Sequence, residues 1–332
     1  MSSIDSLSCS EVSIRGFPAF GRYFRRLASF WRHAAALVFA WFAAGASDGV
    51  TVATYNVENY LVTGRMVGNV YRPDYPKPED EKTALRQVIV GMAPDILALQ
   101  EMGPPPFLDE LQRDLKTDGA NYPHALVLEA GDPDRHVAVL SKLPLRDVRR
   151  YPAVAIDFPV GKGVVKRGVL EVTVAVGGSE VTFFLIHLKS QLTEVRDDPA
   201  GATQRLLEAR AVRDVVLARF PDPAQARFLV CGDWNDARGS RPVKALQKRG
   251  ETALGRILSA ADSRGETWTH HYLREDSYSR LDYILVSPAL EPWIVGDCAH
   301  IYDGPGVEKA SDHRPVFVKI AARPATGGAA GD

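Results

Sequence analysis

The sequence predicts an α/β protein, specifically a four-layer α/β sandwich in which two mixed β-sheets pack face to face with helices outside. Three observations predict it. Short hydrophobic runs of strand length recur from Val50 to Ile320, and stretches of helical period separate only some of them. No repeat and no linker divides residues 48–323. Strands in runs with few helices between them must bury one sheet face on another, leaving the outer faces for helices.

The elements follow in order. Val50 to Tyr55 reads as a buried strand, and residues 57–78, rich in Gly, Pro and Tyr, read as a long loop of the kind that is often functional. A helix is expected from about Pro78. Leu85, Val88, Ile89 and Met92 fall on one face, and Glu79, Asp80 and Glu81 sit at its positive end. Asp95 to Gln100 reads as the next strand, and Pro104-Pro105-Pro106 opens a short helix, since proline is tolerated in a first turn. The pattern then turns β-rich, with strands at His124–Leu128, His136–Ser141, Val148–Ile156, Val164–Val174 and Val181–His187. Gly177-Gly178 marks a hairpin before the last of these. A helix from about Ala202 to Phe220 precedes a strand at Arg227–Cys231, and strands at 281–287, 295–302 and 315–321 close the domain. The tail 324–332 has nothing to bury and is expected to be disordered.

The first 46 residues have a different character. Arg15, Arg22, Arg25, Arg26 and Arg32 precede the uncharged run Ala34 to Ala44, and Ala44-Gly45-Ala46 offers small residues for a signal peptidase. The run is short of the roughly 20 apolar residues of a spanning helix. The expectation is a leader cleaved near Ala46 and a secreted or periplasmic product, with an N-terminal membrane anchor as the alternative. Without residues 1–46 the chain keeps 35 basic and 39 acidic residues, a net charge of −4. A protein that grips duplex nucleic acid mainly through backbone charge is usually basic, so any such binding here needs a local patch. Cys231 follows Phe228-Leu229-Val230 and reads as a small core residue; with Cys298 it is one of two cysteines left. No Cys/His cluster has structural zinc spacing.

Chemistry collects where the hydrophobic runs end. Asn56 and Glu58 follow the first strand, Gln100-Glu101 the second, and His187 and Lys189 end the run from Val181. Asp233 and Asn235 flank Trp234, Asp282 follows Arg280-Leu281, and Asp312-His313 precedes the last strand, with Lys166-Arg167-Gly168 between them. Strand ends deliver residues to one rim of a sheet, where function usually sits. Acids, amides and two imidazoles gathered there would form a hard-cation site suited to splitting a phosphate ester. Alternation lets Asp233 and Asn235 reach one substrate. An imidazole fixed by a carboxylate favours its charged form, which makes Asp282 and His313 a candidate dyad. Asp236 reads as a helix N-cap.

Any one of these blocks is weak alone. In this order and at these spacings, over residues 50–321, they resemble the endonuclease/exonuclease/phosphatase family, which includes deoxyribonucleases, repair nucleases, neutral sphingomyelinases and inositol polyphosphate phosphatases. The resemblance implies Mg²⁺ (or Mn²⁺) held mainly by Glu101, with Asn56, Glu58 and Asp312 in support. It implies catalytic roles for His187, Asp233, Asn235, Asp282 and His313, and substrate contacts from Asn56, Arg167 and Asn235. A nuclease or broad phosphodiesterase is the leading expectation, working as a monomer without a stable protein partner or a permanent span. A phosphatase or phospholipid phosphodiesterase is the alternative, since no amphipathic membrane-binding hairpin is apparent. Trp268, His270, His271 and Tyr272 form either an aromatic wall against the leaving group or a packed loop. Tyr60, Arg65, Tyr71 and Arg72 in the loop 57–78 are candidates for setting specificity.

Overall fold

A computed structural model describes residues 49–158, 161–193 and 195–324. The expected leader, its anchor alternative and the tail beyond residue 324 lie outside the described residues. Two mixed sheets form the body. The seven-stranded sheet runs Ala260–Ala261, Ala299–Ile301, Val316–Ala321, Gly49–Tyr60, Ile96–Met102, His136–Ser141, His124–Leu128. The six-stranded sheet runs Arg256–Ile257, Asp282–Val286, Phe228–Asp233, Ser179–His187, Val169–Val176, Asp147–Tyr151.

Side-chain alternation builds the layers. Val50 and Val52 of the first strand and Ile96 and Ala98 of its parallel neighbour pack with Leu185, Leu229, Cys231 and Ile284 of the other sheet. The alternate residues Ala53, Tyr55, Leu97 and Leu99 face the opposite way, against helices Glu79–Met92 and Pro105–Thr117. Phe184, Ile186, Phe228 and Val230 likewise meet helix Ala202–Arg219 on the outer face of the second sheet. The result is the expected helix, sheet, sheet, helix stack. Helix Glu79–Met92 buries Leu85, Val88, Ile89 and Met92, the face its spacing predicted. Cys231 is buried in the central core, and both it and Cys298 are free.

Several expected elements differ. Residues 57–78 are not a loop: the first strand continues to Tyr60, and Thr63–Val67 pairs with Val70–Tyr75 as a hairpin turning at Gly68, which has a φ of 59°. This hairpin pairs with neither large sheet and buries little, so no apolar alternation betrayed it. The strand expected at Val148–Ile156 breaks after Tyr151, where Pro152 has no N–H to give a ladder. The strand expected at Val164–Val174 is interrupted at Gly168, which has a φ of 66°. Of residues 295–302 only Ala299–Ile301 is a strand, because Gly296 turns the chain with a φ of 75°.

Candidate active site

One end of the sandwich collects the polar ends of its inward-facing rows. Leu229, Cys231 and Asp233 alternate on the same side of one strand, as do Phe183, Leu185 and His187 on its parallel neighbour. Register puts His187 opposite Asp233, and Asp233 opposite Asp282 on the antiparallel strand beyond. Three chemistry-bearing side chains therefore form a row across one sheet. From the facing sheet, Asn56 extends the row Val50, Val52, Thr54 and donates Nδ2 to Asp233 Oδ2 at 3.1 Å. Gly232 makes the crossing possible: its φ is 149°, and a Cβ there would lie 1.9 Å from the Ile186 carbonyl oxygen.

Two bulges re-aim the acids of the facing sheet. The ladder between Gly49–Tyr60 and Ile96–Met102 slips between Asn56 and Tyr60, where Glu58 and Asn59 take φ values of 48° and 55°. The next ladder slips between Leu99 and Met102, around Glu101 with a φ of 61°. Bulges bend a strand and redirect a side chain, and they concentrate beside active sites. Asn235 also has a positive φ, 55°. Left-handed backbone at non-glycine residues costs energy that the surrounding packing must offset, and here it gathers at one rim.

A cleft of about 520 Å³ opens at this rim, lined by Glu101, Asp233, Asn235, His270, Asp312 and His313 among others. His313 is buried, with Nδ1 2.8 Å from Asp282 Oδ2 and Nε2 3.9 Å from Asp233 Oδ2. Burial works against charge on this imidazole, but Asp282 and Asp233 overcome it and hold its pKa well above the usual histidine range. Asp233 is gripped on both oxygens: the Asn235 backbone N–H donates to Oδ1 at 2.8 Å, and the Asn235 side-chain amide donates to Oδ2 at 3.1 Å. Burial pushes this carboxyl up to about 7, against the pull of His313 and with the push of Asp282. His187 Nε2 lies 3.6 Å from Asp233 Oδ2, and neither ring nitrogen has a hydrogen-bond partner among the described residues. Burial, with Arg167 nearby, holds its pKa well below the usual range, so it is neutral.

The second group is acidic. The Asp312 backbone N–H donates to Glu58 Oε2 at 3.1 Å, and the Asn59 backbone N–H donates to Glu101 Oε2 at 3.0 Å. Burial and the neighbouring Asp312 charge push Glu58 up to about 7, only partly relieved by the buried Lys77 at 3.8 Å. The Glu58 pKa is raised beside a charged neighbour, and a divalent cation would relieve that repulsion, since hard cations take carboxylate oxygens as ligands. The oxygen-donor chemistry of Glu101, Glu58 and Asp312 fits a divalent cation.

Not every expected residue reaches the cleft wall. Asn56 and His187 lie beneath it, both buried, touching Asp233. Arg167 is buried, with its Nε 3.0 Å from Asp132 Oδ2, and does not line the cleft. Asp236 is not an N-cap: its Oδ2 accepts from the buried Arg205 at 2.9 Å, while Ser240 caps the following helix. Sequence reasoning did not single out Ser311, whose hydroxyl donates to the Asn56 carbonyl and accepts from the His313 N–H. It also missed Thr269, whose hydroxyl oxygen accepts from the N–H groups of Leu281 and Asp282 and so sets the dyad's strand start. The 13-residue separation of Thr269 from Asp282 carries no local signal for this contact. A second hollow of about 460 Å³ adjoins the first through Asp312, walled by Trp268, His271 and Tyr278. There His271 stacks on Tyr278 at 4.2 Å, and the Arg314 guanidinium lies over Trp268 at 3.4 Å.

Carboxylates for a cation beside a carboxylate-held imidazole and a gripped, buried aspartate make a centre for hydrolysing phosphate esters. The chain matches the model of the Endonuclease/Exonuclease/phosphatase family over residues 53–313, and it belongs to that family. It is accordingly a metal-dependent phosphoesterase. No curated protein matches the sequence significantly. Among solved structures, the human Nocturnin catalytic domain with bound sulfate is 16% identical, with a TM-score of 0.58 over 83% of this chain and 95% of that one. An endonuclease/exonuclease/phosphatase from Bacteroides vulgatus is 16% identical, with a TM-score of 0.56 over 82% and 98%. Sphingomyelinase C from Streptomyces griseocarneus is 17% identical, with a TM-score of 0.55 over 82% and 99%. At these identities the likeness is one of fold. No helix among the described residues is long and apolar enough to cross a membrane.

Proposed function

We propose that the protein is an exported, monomeric phosphodiesterase that cuts nucleic acid with the help of Mg²⁺ or Mn²⁺. In this reading residues 1–46 are the leader, or an anchor if it is kept, and 47–323 are the catalytic domain. The carrying observation is that Asp233, held by Asn56 and Asn235, shares one cleft with Glu101, Asp312 and the Asp282-bound His313. The cation, when bound, supplies Lewis-acid stabilisation of the phosphoryl oxygens, an effect of several kcal/mol.

The remaining steps belong to the chain. Asp233, near neutrality in its pKa, takes a proton from the attacking water. His313, kept as an imidazolium by Asp282, donates toward the phosphoryl oxygen on which charge gathers. The Asn235 amide, which lines the cleft, keeps Asp233 oriented and donates its other N–H to the Leu188 carbonyl. Neutral His187 backs Asp233 from below without competing for its proton. The aromatic group of Trp268, His271 and Tyr278 walls the hollow beside Asp312, with Tyr278 about half exposed, and such a wall suits contact with a base, which favours nucleic acid as substrate.

One observation favours the second reading, a phospholipid or small phosphate ester. Leu192 at the cleft and Leu273 at the adjoining hollow are 79% and 76% exposed, and acids Glu81, Glu275 and Glu308 stand near the mouth. A plasmid and a fluorescent single-stranded oligonucleotide, each with Mg²⁺ or Mn²⁺ and then with EDTA, test the proposal beside bis-p-nitrophenyl phosphate, p-nitrophenyl phosphate and sphingomyelin vesicles. EDTA-sensitive cutting of nucleic acid supports the first reading. Turnover of only the vesicles or the monoester overturns it in favour of the second.

A further inference from the structure

We infer that His270 joins Asp312 as a ligand of the cleft's cation, making a mixed nitrogen and oxygen site that selects Mn²⁺ or Zn²⁺ over Mg²⁺. The inference rests on the reading of this cleft as a cation-dependent centre and deepens it. His270 lines the same cleft as Glu101, Asp312 and His313, with its ring centroid 4.6 Å from that of His313. Its Nε2 lies 3.7 Å from Asp312 Oδ2. That is too long for a hydrogen bond. Two donors sharing one cation at about 2.0–2.2 Å stand about 3.0–3.5 Å apart, so a small closure brings this pair to a common ion.

The other ring nitrogen is already engaged. His270 Nδ1 lies 3.4 Å from the Ser279 hydroxyl, across the hairpin that pairs His270 with Ser279. Metal-binding histidines characteristically have the second nitrogen held in this way, which fixes the ring's direction. The hairpin is also tied to the acid it would assist: the His271 N–H donates to the Asp312 carbonyl, and His270 bridges to His313. The neighbouring imidazoles are committed elsewhere. His313 Nδ1 is held by Asp282 and its Nε2 faces Asp233, while His271 Nε2 is 3.0 Å from Asp276. His270 thus offers the site a free imidazole nitrogen. Oxygen-only sites suit Mg²⁺, which dehydrates reluctantly, whereas an imidazole shifts preference toward later divalent ions.

The test uses the metal-free full chain titrated with Mn²⁺, Zn²⁺ and Mg²⁺ by calorimetry. Electron spin-echo spectroscopy of the Mn²⁺ complex then reads nitrogen directly bonded to the ion. The wild type is expected to show a ¹⁴N coupling that disappears in His270→Gln. That variant should lose Mn²⁺ and Zn²⁺ affinity by at least about tenfold while Mg²⁺ affinity changes little. His271→Gln should retain the coupling. A bound Mn²⁺ without nitrogen coupling, or a coupling that survives in His270→Gln, overturns the inference and makes His270 only a charge partner of Asp312. Mg²⁺ binding without Mn²⁺ binding likewise overturns it, whereas a wild type that binds none of the three ions sinks the metal-dependent reading beneath it. Circular dichroism of each variant establishes that a lost coupling is not lost folding.

Discussion

The Nδ1 of His313 lies 2.8 Å from Asp282 Oδ2, and the opposite ring nitrogen faces Asp233 at 3.9 Å. One imidazole therefore stands between two buried carboxylates with different tasks. Asp282 fixes its tautomer and charge, and Asp233 shares its access to the cleft. The first prediction concerns this pair. Replacing Asp282 with Asn should lower kcat by about 10² to 10⁴-fold, the span of positioned acid-base groups, with little change in KM. A variant within threefold of wild type would remove the dyad from the chemistry.

The pH profile follows from the same three groups. Asp233 must be ionised to take a proton, and its pKa is pushed up to about 7 by burial, so kcat/KM should fall as pH drops through that value. His313 must be protonated, and its pKa is raised by Asp282 and Asp233 against the effect of burial, so a second decline belongs on the alkaline side. Removing the Asp282 charge should move that alkaline limb to lower pH. Stopped assays with a chromogenic diester between about pH 6 and 9 check the shape, and a flat profile would contradict both roles.

Glu101 pays a conformational cost for its position. Its φ of 61° is glycine's territory, and its Oε2 accepts only the Asn59 N–H among the described hydrogen bonds. Glu101→Gly should melt at or slightly above the wild-type temperature, with up to about 1 kcal/mol gained from relieved strain. It should nonetheless lose several kcal/mol of transition-state stabilisation, on the order of 10² to 10⁴ in rate. Thermal melting beside an activity assay reads both, and an active variant would remove Glu101 from the metal site.

Asp262 buttresses the aromatic wall. Its carboxylate accepts from the backbone N–H groups of Arg264 and Glu266 and from Arg314 Nη1 at 2.8 Å. Burial opposes its ionisation, but the Glu266 N–H and the Arg314 guanidinium outweigh it and hold the carboxyl well below the usual range. A depressed carboxyl contributes stability above its unfolded pKa of about 3.9 and loses it as pH falls below that value. Asp262→Asn takes from the buried Arg314 its nearer carboxylate, leaving Glu266 at 3.8 Å and the Trp268 carbonyl, and should cost about 2 kcal/mol, lowering the melting temperature by roughly 4–8 °C. A drop under 2 °C would show that Arg314 finds another partner.

Much of the fold was legible because its signals are local. The apolar face of helix Glu79–Met92, the Gly177-Gly178 turn and the runs ending at Asn56, Glu101, His187 and Asp233 all lie within a few residues of chain. The exposed hairpin Thr63–Tyr75 was not legible, since a ribbon that buries little leaves no hydrophobic period. Arg167 looked like a strand-edge cation available to a phosphate, yet Asp132, 35 positions away in the chain, takes it into the interior. His270 could be read as a wall residue, but its approach to Asp312 depends on a hairpin bridged to His313.

By itself the sequence determined the strand-end chemistry of this protein and the layers those strands build, because hydrophobic alternation and helix period act over one or two turns of chain. Tertiary structure alone decided which of those ends meet. Asn56 reaches Asp233 across 177 residues, and the bulges place Glu101 on the wall of the cleft and Glu58 on that of the adjoining hollow. Such meetings depend on the register between strands and the packing of one sheet on another, which no short window of sequence contains.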